Sequence, residues 1–146
     1  MSLQRQAAAT GLGLLPYALA AIGLWAVNAG RVQLPATGGG FVLLVMIGLC
    51  VVFVGPFAAS VFNALNLARA AVYGAIVHAL GSIMPAIVAA LTNPGAQGAG
   101  ATFVRFWAAV TLVPLPLAVA GAIMGAMGRE KVRPAVRLPP MERRSG

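Results

Sequence analysis

Four long stretches of this chain carry no charged residue, and apolar side chains dominate each of them. The uncharged stretches are residues 6–30, 32–68, 70–104 and 106–128. A helix of about 20 apolar residues crosses the hydrocarbon layer of a bilayer, and each stretch is long enough to supply one. The pattern therefore predicts four transmembrane helices. Their predicted bounds are roughly 8–29, 41–63, 70–91 and 104–127.

The composition agrees with a membrane protein. Charged residues make up 8% of the 146 residues, whereas soluble domains carry about 25%. We therefore expect an all-α polytopic membrane protein, with a four-helix transmembrane bundle over residues 1–128 and a basic tail over residues 129–146. Because every predicted span contains proline, we also expect kinked helices. The prolines concerned are Pro16, Pro56, Pro85, Pro114 and Pro116.

The distribution of lysine and arginine predicts the orientation. Six of the ten follow the last predicted span: Arg129, Lys131, Arg133, Arg137, Arg143 and Arg144. With four spans, both termini lie on one side together with Arg5 and Arg69, which leaves Arg31 and Arg105 opposite. Cytoplasmic segments are enriched in cations, so we expect both termini in the cytoplasm. The high usage of Ala, Gly and Arg favours a bacterial inner membrane.

The six tail cations are predicted to anchor the chain at the membrane surface. Anionic lipid headgroups, or an acidic face of a partner subunit, would bind them. These six cations supply most of the net charge of +8, and they all lie directly after the last predicted span. We therefore expect no nucleic-acid partner.

Small residues form stripes along three predicted spans, and such stripes allow two helix backbones to approach closely. The fourth span contains a GxxxG match at Gly121 and Gly125. Similar stripes include Gly48 and Gly55 in the second span, and Gly74, Gly81 and Ser82 in the third. The sequence predicts helix packing through these residues, against either the same chain or another subunit.

His78 is the single histidine and lies near the middle of the third predicted span. An ionisable residue inside a membrane is costly and suggests a function. Three interpretations are open. The imidazole could hold helices together through hydrogen bonds, ligate a haem or chlorophyll-type pigment, or relay protons or contact a quinone.

Several classes of protein lack their required residues here. No Asp or Glu precedes Glu130, so no carboxylate lies in a predicted span to couple ion movement. The single cysteine, Cys50, rules out an intramolecular disulfide or a paired-thiol redox site. Our leading hypothesis is a non-catalytic accessory or scaffolding subunit of a larger membrane assembly, with an energy-transducing assembly as one candidate. The alternatives are a small homo-oligomeric channel or transporter, and a pigment- or haem-binding subunit that uses His78.

Overall fold

A computed structural model describes residues 3–33, 39–63 and 66–132. These residues form helices joined by turns and contain no strand, which confirms the predicted all-α class for this part of the chain. The helices are α1 (Leu3–Asn28), α2 (Gly39–Phe62), α3 (Leu67–Gly81), α4 (Ile83–Thr92), α5 (Gly98–Leu112) and α6 (Leu115–Val132).

Three helices are long and apolar enough to cross a membrane: α1, α2 and the nearly continuous pair α3 and α4. The remaining pair, α5 and α6, passes the same test only if it is counted as one span. A bend of 48° separates α5 from α6. By length and composition, the described residues therefore supply three candidate spans, or four with the bent pair.

The prolines differ in their effect on the helices. α1 and α2 continue without interruption through Pro16 and Pro56. The third predicted span divides at Ser82, three residues before Pro85, and the fourth divides at Val113 and Pro114. Proline lacks the amide hydrogen that a residue in the interior of a helix donates to the carbonyl one turn back. The missing hydrogen bond explains why the third and fourth spans divide, but it does not explain why α1 and α2 continue.

Local features, a side-chain bond in one case and glycine backbone angles in the other, explain two helix starts that the apolar pattern places too late. The Asn66 side chain accepts a hydrogen bond from the Arg69 amide at 2.9 Å, so α3 begins at Leu67. α5 begins at Gly98, inside the predicted loop between the third and fourth spans. Gly95 and Gly98 have φ angles of +65° and +84°, which glycine adopts without steric cost.

α1 packs antiparallel to α2 and parallel to the α3–α4 pair. Ala59 lies opposite Gly13, and Gly55 lies opposite Tyr17, so the chain numbers run in opposite directions along α1 and α2. Hydrogen bonds near both ends of α1 connect it to the third span. At one end the hydroxyls of Thr10 and Tyr73 lie 2.6 Å apart, and at the other Asn28 donates to Thr92 at 2.8 Å.

α2 and α6 form the most extensive helix pair and run parallel. Gly121 packs against Phe53, and Gly125 packs one turn further on against Phe57. The start of α1, the end of α2, the start of α3 and the end of α6 therefore share one end of the bundle. We call it the basic end, because Arg69 and Arg129 lie there.

Among the described residues, no helix covers the first half of α2. Every residue from 42 to 50 is exposed, whereas buried residues recur from Val52 to Ser60. The bend between α5 and α6 explains the difference. α6 covers the second half of α2, but α5 turns away and packs against α4. We call residues 42–50 the bare segment of α2.

Candidate functional site

Four polar side chains meet in the interior of the bundle: Tyr17, His78, Ser82 and Thr111, here called the polar cluster. Their exposed fractions are 2%, 0%, 2% and 7%. They come from α1, α3, the junction of α3 with α4, and α5. Because hydrocarbon offers no hydrogen-bond partner, side chains buried in a membrane protein have to bond to one another or to backbone.

Both ring nitrogens of His78 have partners. Nδ1 lies 2.9 Å from the Tyr17 hydroxyl, and Nε2 lies 3.2 Å from the Thr111 carbonyl oxygen. A carbonyl only accepts, so Nε2 carries the proton and donates it to Thr111. Nδ1 of the neutral imidazole then accepts from the Tyr17 hydroxyl. His78 thus links α1 to α5, as the first of the three interpretations of this residue requires.

A second set of bonds attaches α5 to the junction of α3 and α4. The Ser82 hydroxyl donates to the Ala79 carbonyl at 2.9 Å and lies 2.7 Å from the Thr111 hydroxyl. Since serine has one hydroxyl hydrogen, Thr111 is the donor to Ser82. The Trp107 indole also donates to the Ala79 carbonyl, at 3.1 Å.

Two glycines position the Tyr17 ring. A Cβ added at Gly55 would lie 2.6 Å from Cε2 of the ring, and one added at Gly81 would lie 2.5 Å from Cδ2 and Cγ. The ring therefore passes between the backbones of α2 and α3, where only glycine leaves room for it. This placement brings the hydroxyl to His78, with the two ring centroids 5.8 Å apart.

The surroundings of His78 do not fit an axial pigment ligand. Ligation needs a free ring nitrogen with open space beside it, but both nitrogens are bonded and the side chain is 0% exposed. Gly74 and Gly81, whose small size could admit a macrocycle, are covered by Ala122 and Tyr17. Proton transfer along the cluster would also stop at the Thr111 carbonyl, which accepts a hydrogen bond but has no proton to pass on.

Most of the glycines predicted to pack helices lie at helix contacts within the chain. A Cβ added at Gly121 or Gly125 would lie 2.5 Å from the carbonyl oxygen of Phe53 or Phe57. Gly48 differs, because it is exposed in the bare segment and an added Cβ would meet nothing within 4 Å. Packing through Gly48 therefore needs a partner other than the residues that the structure describes.

The tail cations predicted to anchor the chain lie mostly outside the described residues, namely Arg133, Arg137, Arg143 and Arg144. Lys131 lies in the last turn of α6, and its side chain is not described. Arg129 is partly buried, and its Nη1 atom is fully buried without a partner among the described residues. It is the one member of this set whose surroundings the structure describes.

No family model, curated protein or solved structure matches this chain. The described residues contain no group of three or more His, Cys, Asp and Glu side chains that could hold a metal ion.

Sequence reasoning did not find Tyr17, although a signal for it exists. Ala9, Gly13, Tyr17 and Ala21 recur every four residues along α1, and all four are buried. One polar aromatic residue in a stripe of small residues indicates a side chain that enters the bundle. Local sequence does not identify Thr111 as a partner of His78, because the bond joins residues 33 positions apart.

Proposed function

We propose that this protein is a small, non-catalytic subunit of a larger integral-membrane assembly. It would cross the membrane four times, with the bent α5–α6 pair as its last span. The bare segment of α2 would pack against transmembrane helices of a partner subunit. The observation that carries this proposal is that every residue from 42 to 50 is exposed, although the second half of the same helix is well packed.

Exposure alone does not require a protein partner, because lipid tails cover apolar side chains as well as another helix does. The position of Gly48 favours a helix. It lies within the bare segment with nothing within 4 Å of an added Cβ, so a partner backbone can approach it closely. Gly121 and Gly125 receive the backbone of α2 in the same way inside the bundle.

The polar cluster supports a structural role. Its four side chains are buried and bonded to one another or to backbone. This arrangement fastens α1, α3 and α5 together and leaves no ring nitrogen of His78 free for a substrate. Nothing among the described residues favours the channel or pigment hypotheses over the subunit hypothesis.

The charges support an orientation with both termini in the cytoplasm. Arg69 and Arg129 lie at the basic end, and Arg31 and Arg105 lie in the opposite half of the bundle. Lys131 lies in the last turn of α6, which ends at the basic end, and the other four tail cations follow that helix. Since cytoplasmic segments are enriched in cations, the basic end would face the cytoplasm, in a bacterial inner membrane.

Position 50 provides a direct test. Cys50 is exposed at the end of the bare segment, so a photo-crosslinking amino acid incorporated there during translation would lie against whatever packs on this segment in native membranes. We expect a crosslinked product of one defined mass that contains a second membrane protein. Its identification by mass spectrometry would name the assembly.

The matched control moves the crosslinker to another exposed surface. The same photo-crosslinking amino acid incorporated at Val72 lies on the outer face of α3, where Val72 is 62% exposed. We expect this position to give only lipid adducts. The same products from both positions, or lipid adducts alone from Cys50, would contradict the proposal, and a crosslinked homodimer would favour the homo-oligomer alternative.

A further inference from the structure

An open groove runs along the outer face of α3 and starts at the basic end of the bundle. Its volume is about 340 Å³, within the range of about 300–1,000 Å³ that is usual for ligand sites. The lining is apolar except for one guanidinium and one phenol hydroxyl, and its residues are Ala68, Arg69, Val72, Tyr73 and Ile76. We call this feature the α3 groove. It places an apolar surface directly beside a cation.

The Tyr73 side chain is held in place as one wall of the α3 groove. Thr10 of α1 donates its single hydroxyl hydrogen to the Gln6 carbonyl at 2.9 Å. The 2.6 Å bond between Thr10 and Tyr73 therefore has the Tyr73 hydroxyl as its donor. Because the phenol is already bonded within the chain, the groove offers a ligand mainly hydrocarbon at this wall.

Arg69 is the charged residue of the lining, and it is exposed. It lies away from α6, because Gly74, which contacts α6 at Ala122, is about 140° around the helix from Arg69. No acidic side chain lies in the part of the chain whose side chains the structure describes. Within that part, no carboxylate neutralises the Arg69 guanidinium. Its planar fork of donors matches a phosphate group.

The length of the α3 groove fits one leaflet of a bilayer. From Ala68 to Ile76 the helix rises by about 12 Å, and half of the hydrocarbon layer is about 15 Å thick. α3 and α4 together form a candidate span, so Arg69, near its start, would lie at the level of the headgroups. A lipid whose phosphate pairs with Arg69 would lay the upper part of an acyl chain along the groove.

The side chains of the α3 groove suit an acyl chain better than a partner helix. Close contact between membrane helices needs small residues along the shared face, but Gly74 and Gly81 of α3 are covered from inside the bundle. The groove presents the branched side chains of Val72 and Ile76, which are 62% and 51% exposed. A flexible acyl chain can follow this uneven surface, whereas a helix backbone cannot approach it closely.

We propose that the α3 groove binds one anionic phospholipid from the leaflet at the basic end. Arg69 would pair with the phosphate, and an acyl chain would lie against Val72 and Ile76. Because no described carboxylate balances Arg69, a headgroup with net negative charge, such as phosphatidylglycerol, would be preferred to zwitterionic phosphatidylcholine. The proposal concerns α3 and holds whether or not a partner subunit covers the bare segment of α2.

Photo-crosslinking of the full-length protein in phosphatidylcholine vesicles tests this proposal. The probes are phosphatidylglycerol and phosphatidylcholine with the same diazirine-bearing acyl chain, each added as a minor component. We expect the phosphatidylglycerol probe to label residues 68–76 about fivefold to tenfold more than the phosphatidylcholine probe. Leu15 and Leu19 on the outer face of α1 are equally exposed to lipid and should show no such difference. Equal labelling of the groove by both probes, or the same enrichment on α1, would overturn the proposal.

Two arginine variants separate the α3 groove from general attraction to positive charge. Arg69→Gln and Arg105→Gln remove the same charge from exposed positions, but Arg105 lies in α5, in the opposite half of the bundle. We expect Arg69→Gln to abolish the preference of the groove for phosphatidylglycerol and Arg105→Gln to retain it. A preference that survives Arg69→Gln would show that other cations attract the lipid and would refute the role of Arg69.

Two tryptophan variants test the apolar part of the groove. Ile76→Trp places a large ring in the groove, whereas Leu80→Trp places the same ring one turn further along α3, beyond the lining residues. Both positions are about half exposed, so neither change overpacks the interior. By native mass spectrometry of the delipidated protein, we expect Ile76→Trp to weaken the tightest phosphatidylglycerol binding about fivefold or more and Leu80→Trp to leave it unchanged. Equal binding by the two variants, or equally effective competition by inorganic phosphate, would mean that no acyl chain occupies the groove.

Discussion

The substitution Gly81→Ala tests whether the Tyr17 ring is held between two helix backbones. The new methyl carbon would lie 2.5 Å from two ring atoms of Tyr17, whereas ordinary contacts begin near 3.4 Å. The ring would have to move by about an ångström against Gly55 on its other side. That movement would also lengthen the bond between the Tyr17 hydroxyl and His78, now 2.9 Å.

The expected cost follows from three contributions. Overpacking of a close contact destabilises by about 1–3 kcal/mol. Loss of an interhelical hydrogen bond in a membrane protein adds about 0.6 kcal/mol, and up to about 1.7. Alanine in place of glycine within a helix recovers about 1 kcal/mol. We therefore expect Gly81→Ala to lower the free energy of unfolding by about 1–3 kcal/mol.

Gly48→Ala is the matched control, because it makes the same chemical change at a helical position with nothing within 4 Å. We expect its stability to be unchanged or raised by up to about 1 kcal/mol. The assay is reversible unfolding in mixed detergent micelles, followed by tryptophan fluorescence. Trp107 bonds to the Ala79 carbonyl beside the polar cluster and is a suitable reporter. Equal effects of the two substitutions would refute the described position of Tyr17.

Three further predictions concern single side chains. Tyr17→Phe leaves His78 Nδ1 without a donor, so in the same assay we expect a loss of about 0.6–1.7 kcal/mol; full wild-type stability would contradict the bond. Asn66→Ala removes the side chain that accepts from the Arg69 amide, and we expect a loss of about 1 kcal/mol, with faster amide hydrogen exchange in the first turn of α3. Unchanged exchange there would exclude the cap. Cys50 is exposed, so a diazirine dissolved in the detergent micelle should label it and its neighbours in the folded, purified protein, and adducts confined to other segments would contradict the bare segment.

Much of the helical architecture could be predicted from local sequence. The uncharged apolar stretches correspond to α1, α2, the α3–α4 pair and the α5–α6 pair, because backbone groups in an apolar setting are most simply satisfied within a helix. The predicted helix ends are less accurate, because polar side chains such as Asn66 and glycines with positive φ determine where a helix begins. The pattern of apolar residues along the chain does not reveal these local features.

The polar cluster could be predicted only in part. His78 was recognisable as an ionisable residue in an apolar span, but its partner Tyr17 lies 61 positions away. Which span stands beside which depends on how small residues fit together in three dimensions. The bare segment was not predictable either, because it results from the 48° bend that takes α5 away from α2.

The pairing of α2 with α6 has a consequence for biosynthesis. The contact between Phe53 and Gly121 joins residues 68 positions apart, and ribosomes deliver the chain from its N-terminus. In the proposed topology, α2 would therefore enter the membrane well before the helix that covers it has been translated. Until then the buried positions from Val52 to Ser60 have no α6 beside them. A nascent chain halted before Leu115 should thus expose α2 to membrane chaperones and quality-control proteases, and completion of the last helix would end that exposure.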